Sequence, residues 1–298
     1  MKTATTSKLK LISSMFIFGT IGIFINYIPL PSGFIAFFRG IIGAGVIGAY
    51  IFFSKKKSDK TPIKKNLALL LVSGGAIGFN WIFLFEAYRH TTVATATLCY
   101  YMAPVFVILV SPIFLREKLT IKKSLCVLTA LLGMCLISGV VGGESPSKDQ
   151  LLGIVFGLCA AALYASIMIM NKKITGVAAQ DKTFVQLFAA GIVVLPYTLL
   201  AENPTFNGTT PTTLVLLMTV CVVHTGLAYL LYFGSFEGVS ASTAAIMSYI
   251  DPLVAIILSA VVLSQPMTPM SMLGAILILS GALVSETNFT LRKQKTRE

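Results

Sequence analysis

The chain has 298 residues, 56% hydrophobic and 11% charged, with a net charge of +12 and a mean hydropathy of +0.86. Those proportions exclude a water-soluble globular domain, in which about a quarter of residues are charged. They predict a chain that sits almost wholly in a bilayer.

Ten apolar stretches follow one another along the chain, at 9–29, 33–53, 66–88, 92–114, 121–141, 151–171, 182–201, 212–234, 240–263 and 268–288. Each is long enough to cross a hydrocarbon core of ~30 Å at ~1.5 Å per residue. The first follows Lys8 and Lys10, as a signal peptide would. It lacks a small-x-small cleavage site and runs into Asn26-Tyr27-Ile28-Pro29, so a permanent helix is expected. Span two carries Arg39, about 9 Å from its outer end by helical rise. Two readings stay open for it: snorkelling to headgroups, or burial against a carboxylate of the protein or of a substrate. Span three holds Gly74, Gly75 and Gly78, then Asn80 and the single tryptophan Trp81, and ends on Glu86 and Arg89, spaced as an interfacial ion pair.

Spans four and nine are the most informative. Thr92, Ala96, Tyr100, Ala103, Val107 and Ser111 form one small or polar stripe; Ser240, Ala244, Ser248, Asp251, Ala255 and Ser259 form the other. Such stripes serve close helix packing or line a cavity. Asp251 favours the cavity in span nine, because a carboxylate at mid-membrane costs several kcal/mol unless it has work to do. Pro104 and Pro252 each remove an amide donor and predict a break in the helix. Tyr101 and Tyr249 just precede these prolines, too deep for an interfacial belt. His224 in span eight lies at nearly the depth of Asp251, which suggests either a buried neutral imidazole or a partner in proton transfer.

The chain also repeats itself. A shift of 148 residues brings Thr95, Ala96, Tyr101, Pro104, Ile108, Ser111, Leu115, Thr120, Leu125, Leu131 and Gly133 onto Thr243, Ala244, Tyr249, Pro252, Ile256, Ser259, Leu263, Thr268, Leu273, Leu279 and Gly281, eleven identities in 41 positions. Chance gives roughly one in ten in so apolar a composition. Five spans per copy turn the second copy upside down in the membrane. The expected fold is therefore all-α, ten transmembrane helices in two inverted five-helix repeats at 9–141 and 151–287, with basic tails at 1–8 and 289–298. Inverted repeats mark alternating-access transporters.

Charge sets the orientation. With the N-terminus in the cytoplasm, twenty of the 23 Lys and Arg residues fall on the cytoplasmic side; Arg89 and Lys148 lie outside and Arg39 within a span. That bias predicts cytoplasmic termini in the cell membrane. The excess charge faces anionic lipid rather than nucleic acid. Cys99, Cys126, Cys135, Cys159 and Cys221 lie inside apolar spans without metal-ligand spacing, so they read as packing residues, and no metal or cofactor is expected.

The stretch from Tyr88 to Val107, with Phe114 to Thr120 and Gly133, resembles the EamA-type family of the drug/metabolite transporter superfamily. Val239 to Ile246, Pro252, Leu263 to Thr268 and Gly281 resemble the same pattern. The resemblance implies ten helices, inverted repeats and transport of small metabolites, often export of amino acids and related compounds. One departure stands out: the family's Glu after the fourth helix is Glu117 in the first copy and Gln265 in the second.

The expected function is secondary-active transport of a small organic metabolite, with Asp251, His224, Arg39, Asn80, Trp81, Tyr100, Tyr101, Ser248 and Tyr249 as substrate or coupling residues, and a proton as the possible coupling ion. Cationic drug-like and nucleotide-like compounds are alternative substrates. An aspartyl membrane protease needs two facing carboxylates, and only Asp251 lies deep. A channel needs a ring of charges or carbonyls, and none is visible. Monomer and homodimer are both left open.

Overall fold

A computed structural model describes residues 2–54, 60–114, 120–137, 147–202, 209–235, 239, 243–244, 247–265 and 267–286. Glu117, Ser240 and the tail 289–298 lie outside the described residues. The described residues form α1 (Lys2–Asn26), α2 (Ser32–Phe53), α3 (Thr61–Lys65), α4 (Leu67–His90), α5 (Val93–Tyr100), α6 (Ala103–Phe114), α7 (Ile121–Ile137), α8 (Lys148–Lys173), α9 (Ala179–Tyr197), α10 (Pro211–Cys221), α11 (Ala228–Ser235), α12 (Ile250–Val261) and α13 (Pro269–Glu286). Seven segments are long and apolar enough to cross a membrane: Thr5–Asn26, Ser32–Phe53, Leu67–His90, Val93–Phe114, Lys148–Lys173, Ala179–Glu202 and Pro211–Ser235. Ile250–Val261 and Pro269–Ser285 are apolar but shorter.

Local chemistry starts several of these helices. Thr92, Ser147 and Thr210 each accept a hydrogen bond from the amide three residues on, at 3.1, 3.1 and 3.2 Å. Each such cap contributes about 1 kcal/mol. Where the sequence predicts breaks before Pro104 and Pro252, the chain turns at Tyr101–Met102 and at Ser248–Tyr249. A proline cannot donate to the carbonyl four residues back, so the Tyr100 and Ser248 carbonyls lose their helical partners.

Packing joins the two halves closely. α4 lies against α8 and α9, α2 against α9, α7 against α13, and α1 against α11 and α12; α5 touches both α8 and α12. Glycines set the closest approaches. A Cβ on Gly40 would stand 2.5 Å from the Gly191 amide nitrogen, and one on Gly78 would stand 2.5 Å from Val194. Gly133 and Gly274 face each other's carbonyls, each with 2.6 Å of clearance for a Cβ, while Gly281 faces the Cys126 carbonyl. α7 and α13 therefore run antiparallel. The shift of 148 carries the pair 133/274 onto the pair 281/126, so one repeat offset relates the two contacts.

The turns sort to two ends of the bundle. At one end Arg89 donates to the Leu30 carbonyl, His90 lies 2.6 Å from Asp149, and the Gly33 and Phe34 amides donate to Glu202 at 2.8 and 3.1 Å. At the other, Asn66 donates to the Thr175 carbonyl at 3.2 Å and the Lys173 ammonium stands 6.0 Å from the Phe114 ring. Phe85, Leu98, Ile35, Ile47 and Leu187 are fully enclosed, while Leu200, Phe52 and Val261 point outward. Outward apolar side chains suit a lipid solvent, which removes the usual penalty for exposing them.

Candidate substrate site

Asp251 sits in the first turn of α12, directly after the break at Ser248–Tyr249. The Tyr101 hydroxyl lies 3.2 Å from Asp251 Oδ2 and 3.2 Å from the Ser248 carbonyl oxygen. That carbonyl is the one Pro252 leaves without its helical donor. A tyrosine at the break of one repeat thus serves the break of the other. Tyr101 and Tyr249, equivalent under the 148-residue shift, pack on each other with ring centroids 6.0 Å apart. Tyr100 meets Tyr101 at 6.4 Å and Tyr164 at 5.1 Å, extending an aromatic wall beside the carboxylate. The carboxylate's one hydrogen-bond donor among the described residues is a neutral phenol, so Asp251 is suited to take a proton or a ligand's ammonium group.

Arg39 is buried, only 4% exposed, and does not snorkel. Trp81 holds it from one side, with the guanidinium carbon 4.0 Å from the ring centroid, and Phe85 lies at 5.3 Å. A desolvated cation–π contact of this kind stabilises by about 2 kcal/mol. Nε donates to Thr225 at 3.0 Å, and Thr225 donates to the Val220 carbonyl at 3.1 Å. That second bond spans five residues because Val222–Leu227 forms a wide π-type turn between α10 and α11. Among the described residues no carboxylate lies within ion-pair distance of Arg39, and its two Nη nitrogens have no hydrogen-bond partner. A planar fork of N–H donors fixed at its base and open at its edge fits a carboxylate or another oxyanion.

His224 is also buried, but it does not meet Asp251. Its Nε2 is 2.9 Å from the Thr20 hydroxyl, its Nδ1 is 3.4 Å from the Thr219 carbonyl, and Phe24 packs on its ring at 4.6 Å. The Thr20 hydroxyl also stands 2.8 Å from the Ile17 carbonyl. Asn80 donates to the Ala160 carbonyl at 2.6 Å and clasps α4 to α8. The sequence-based set therefore divides. Tyr100, Tyr101, Ser248, Tyr249 and Asp251 gather at the breaks, Arg39 and Trp81 form the cationic side, and Asn80 and His224 engage neighbouring helices.

Two further residues belong to this arrangement. Tyr88 is buried and stands within electrostatic reach of both Arg39 and Asp251. It also lines a recess of about 340 Å³ at the bundle end, together with Asn26, Arg89, Thr92, Gln150 and Gln265. Gln265 closes the space below: its Oε1 accepts from the Val93 amide at 3.2 Å and from Ser259 at 2.9 Å, while Ser259 accepts from the Ala94 amide at 3.3 Å. The first amides of α5 are thereby held by the connection between α12 and α13. The sequence singles out neither for this place: Tyr88 opens the family-like stretch, and Gln265 stands where that family carries Glu.

A bundle of apolar helices, with a half-buried carboxylate beside a tyrosine cluster and a buried guanidinium stacked on a tryptophan, defines a multi-pass membrane protein. The family model described as the EamA-like transporter family matches residues 6–139 and again 151–287. The chain belongs to that family, which makes it a membrane transporter rather than an enzyme. It is 30% identical over 281 residues to the uncharacterized transporter YxxF of Bacillus subtilis (strain 168), covering 94% of this chain and 89% of that one. Protein PecM of Dickeya dadantii (strain 3937) is 25% identical over 225 residues, covering 74% of each chain. A solved crystal structure superposes with a TM-score of 0.64 at 16% identity, covering 94% of this chain and 96% of the other.

Proposed function

We propose that the protein is a secondary-active, alternating-access exporter of a small amphoteric metabolite, an amino acid or a close relative. The observation that carries this reading is the pair of opposite charges within the bundle, Arg39 buried and Asp251 half-buried. Arg39 offers an open fork to a carboxylate, and Asp251, bonded among the described residues to the neutral Tyr101 hydroxyl, accepts an ammonium group or a proton. Tyr88 stands within electrostatic reach of both charges.

The chain is read as ten membrane passes in two inverted repeats, with the termini in the cytoplasm of the cell. The exchange of helix partners, the Gly133/Gly274 and Gly281/Cys126 contacts, and the two Tyr-x-x-Pro breaks support it. Coupling follows from the hydroxyl of Tyr101. When Asp251 is ionised, the phenol is shared between the carboxylate and the Ser248 carbonyl. When a proton occupies Asp251, the phenol turns to Ser248 and the negative charge that holds an ammonium group is gone. Proton entry and substrate release are thereby made exclusive at one carboxylate.

The test is flux in proteoliposomes loaded with a mixture of amino acids under an imposed pH gradient. Wild type should show gradient-driven exchange, Asp251→Asn should lose the dependence on the gradient, and Arg39→Gln should lose affinity for carboxylate-bearing solutes. Gradient-driven flux unchanged in Asp251→Asn would remove the carboxylate from coupling.

A further inference from the structure

The hydroxyls of Tyr88 on α4 and Thr97 on α5 stand beside each other, and both residues are buried, 5% and 3% exposed. Thr97 Oγ1 closes no hydrogen bond among the described residues. Other helical threonines of the chain behave differently. Thr129, Thr183, Thr198 and Thr219 each donate to the carbonyl four residues back, at 2.9, 2.9, 2.9 and 2.8 Å. Thr97 forgoes that bond, and a hydroxyl sealed among apolar helices is costly to leave unpaired. The Tyr88 ring reaches away from its own helix as well: its Cζ would stand 3.4 Å from a Cβ on Gly22, so α1 carries a glycine where the phenol lies.

Trp81, Phe85 and Tyr88 share one face of α4, at spacings of four and three residues. The first two hold Arg39, and Tyr88 is the next turn toward the recess, which it lines. On α5, Thr97 precedes Tyr101 by one turn, with the Tyr101 amide donating to the Thr97 carbonyl at 3.0 Å, and Tyr101 holds Asp251. α4 ends at the recess and α5 begins there, through His90 and Thr92. Both hydroxyls therefore lie one turn on the recess side of the residues that hold the two charges.

From this placement we infer that the Tyr88 and Thr97 hydroxyls form a subsite for an uncharged hydrogen-bonding side group of the solute, a hydroxyl or a carboxamide, and set its preference over an apolar isostere. Each of the two hydroxyls both donates and accepts. One hydroxyl or carboxamide on the solute would bond to each of them and give Thr97 its partner, whereas a methyl group in the same place would leave Thr97 Oγ1 unpaired. The inference rests on the reading of the solute as amphoteric, in which Arg39 and Asp251 take the charged groups and leave the side group to the neutral pair.

Ligand-induced thermal stabilisation of the full-length protein in detergent, titrated with two isosteric pairs of amino acids, tests the subsite. Threonine should bind about tenfold more tightly than valine, and asparagine about tenfold more tightly than leucine, the effect of one neutral hydrogen bond. Thr97→Val replaces the hydroxyl with a methyl of the same shape and should bring each pair to equal affinity, while valine binds as it does to wild type. Thr97→Ser, which restores the hydroxyl, should recover the preference, and Tyr88→Phe should weaken it without touching α5. Equal affinities within each pair for wild type, or a preference that survives Thr97→Val, would overturn the subsite and leave the amphoteric reading standing. Stabilisation by none of the four amino acids would overturn that reading and the subsite with it.

Discussion

Gln265→Glu is the most discriminating single change at the recess end. In the wild type a neutral amide oxygen accepts from the Val93 amide, the first N–H of α5, at 3.2 Å and from Ser259 at 2.9 Å. A carboxylate at that place gains twice. Charged hydrogen bonds contribute about 1.5–3 kcal/mol against about 0.5–1.5 for neutral ones. An anion at a helix N-terminus adds about 0.3–1 kcal/mol through the dipole. Part of this is lost to desolvation of the new charge, leaving about 1–2 kcal/mol in favour of the closed end, a factor of about 5–30 in the closed-to-open ratio. The assay uses a protein whose native cysteines are replaced and which carries Ser248→Cys, placed beside the Tyr101 hydroxyl. A membrane-impermeant thiol reagent added on the recess side should label Gln265→Glu about 5–30 times more slowly than the parent, and Gln265→Ala faster. Labelling of Gln265→Glu at or above the parental rate would show that this clasp does not govern access to the centre.

Other consequences are as direct. Tyr101→Phe strands the Ser248 carbonyl that Pro252 leaves open, at a cost of about 1–3 kcal/mol; the apparent melting temperature in detergent should fall, and Tyr249→Phe serves as the comparison. Arg39→Lys keeps the charge but loses the planar fork and its stacking on Trp81, so affinity for a carboxylate-bearing substrate should drop about tenfold, read as ligand-induced thermal stabilisation. Gly40→Leu drives a side chain into the backbone of Gly191, 2.5 Å away, and should destabilise by about 3 kcal/mol or prevent accumulation in the membrane.

How much of this was readable from sequence depends on which coordinate each inference needs. Depth along a helix follows from counting residues, and the positions of Asp251, Pro104 and Pro252 along their spans were legible for that reason. The proline effect is local too, and both breaks lie just before the proline. The angle around a helix axis is harder, because it depends on which neighbour the helix meets. His224 and Asp251 share a depth, yet the imidazole turns to Thr20, 204 residues away in the chain, on a π-type turn that no proline announces. Arg39 was ambiguous on the same ground. Burial follows only once Trp81 and Phe85 of α4 are known to cover it.

Gln265 exposes a different limit, one of chemistry. Compared with Glu117, it reads as a missing charge, and charge is what a sequence displays most plainly. What the helix terminus requires is an acceptor for unpaired amides, and an amide oxygen meets that requirement as a carboxylate does. The difference lies in strength and in sensitivity to protonation. An amide acceptor at the recess end therefore keeps its strength in acid, where a carboxylate in its place would lose it. Gln265→Glu should accordingly add a pH dependence to labelling from the recess side that the parent lacks.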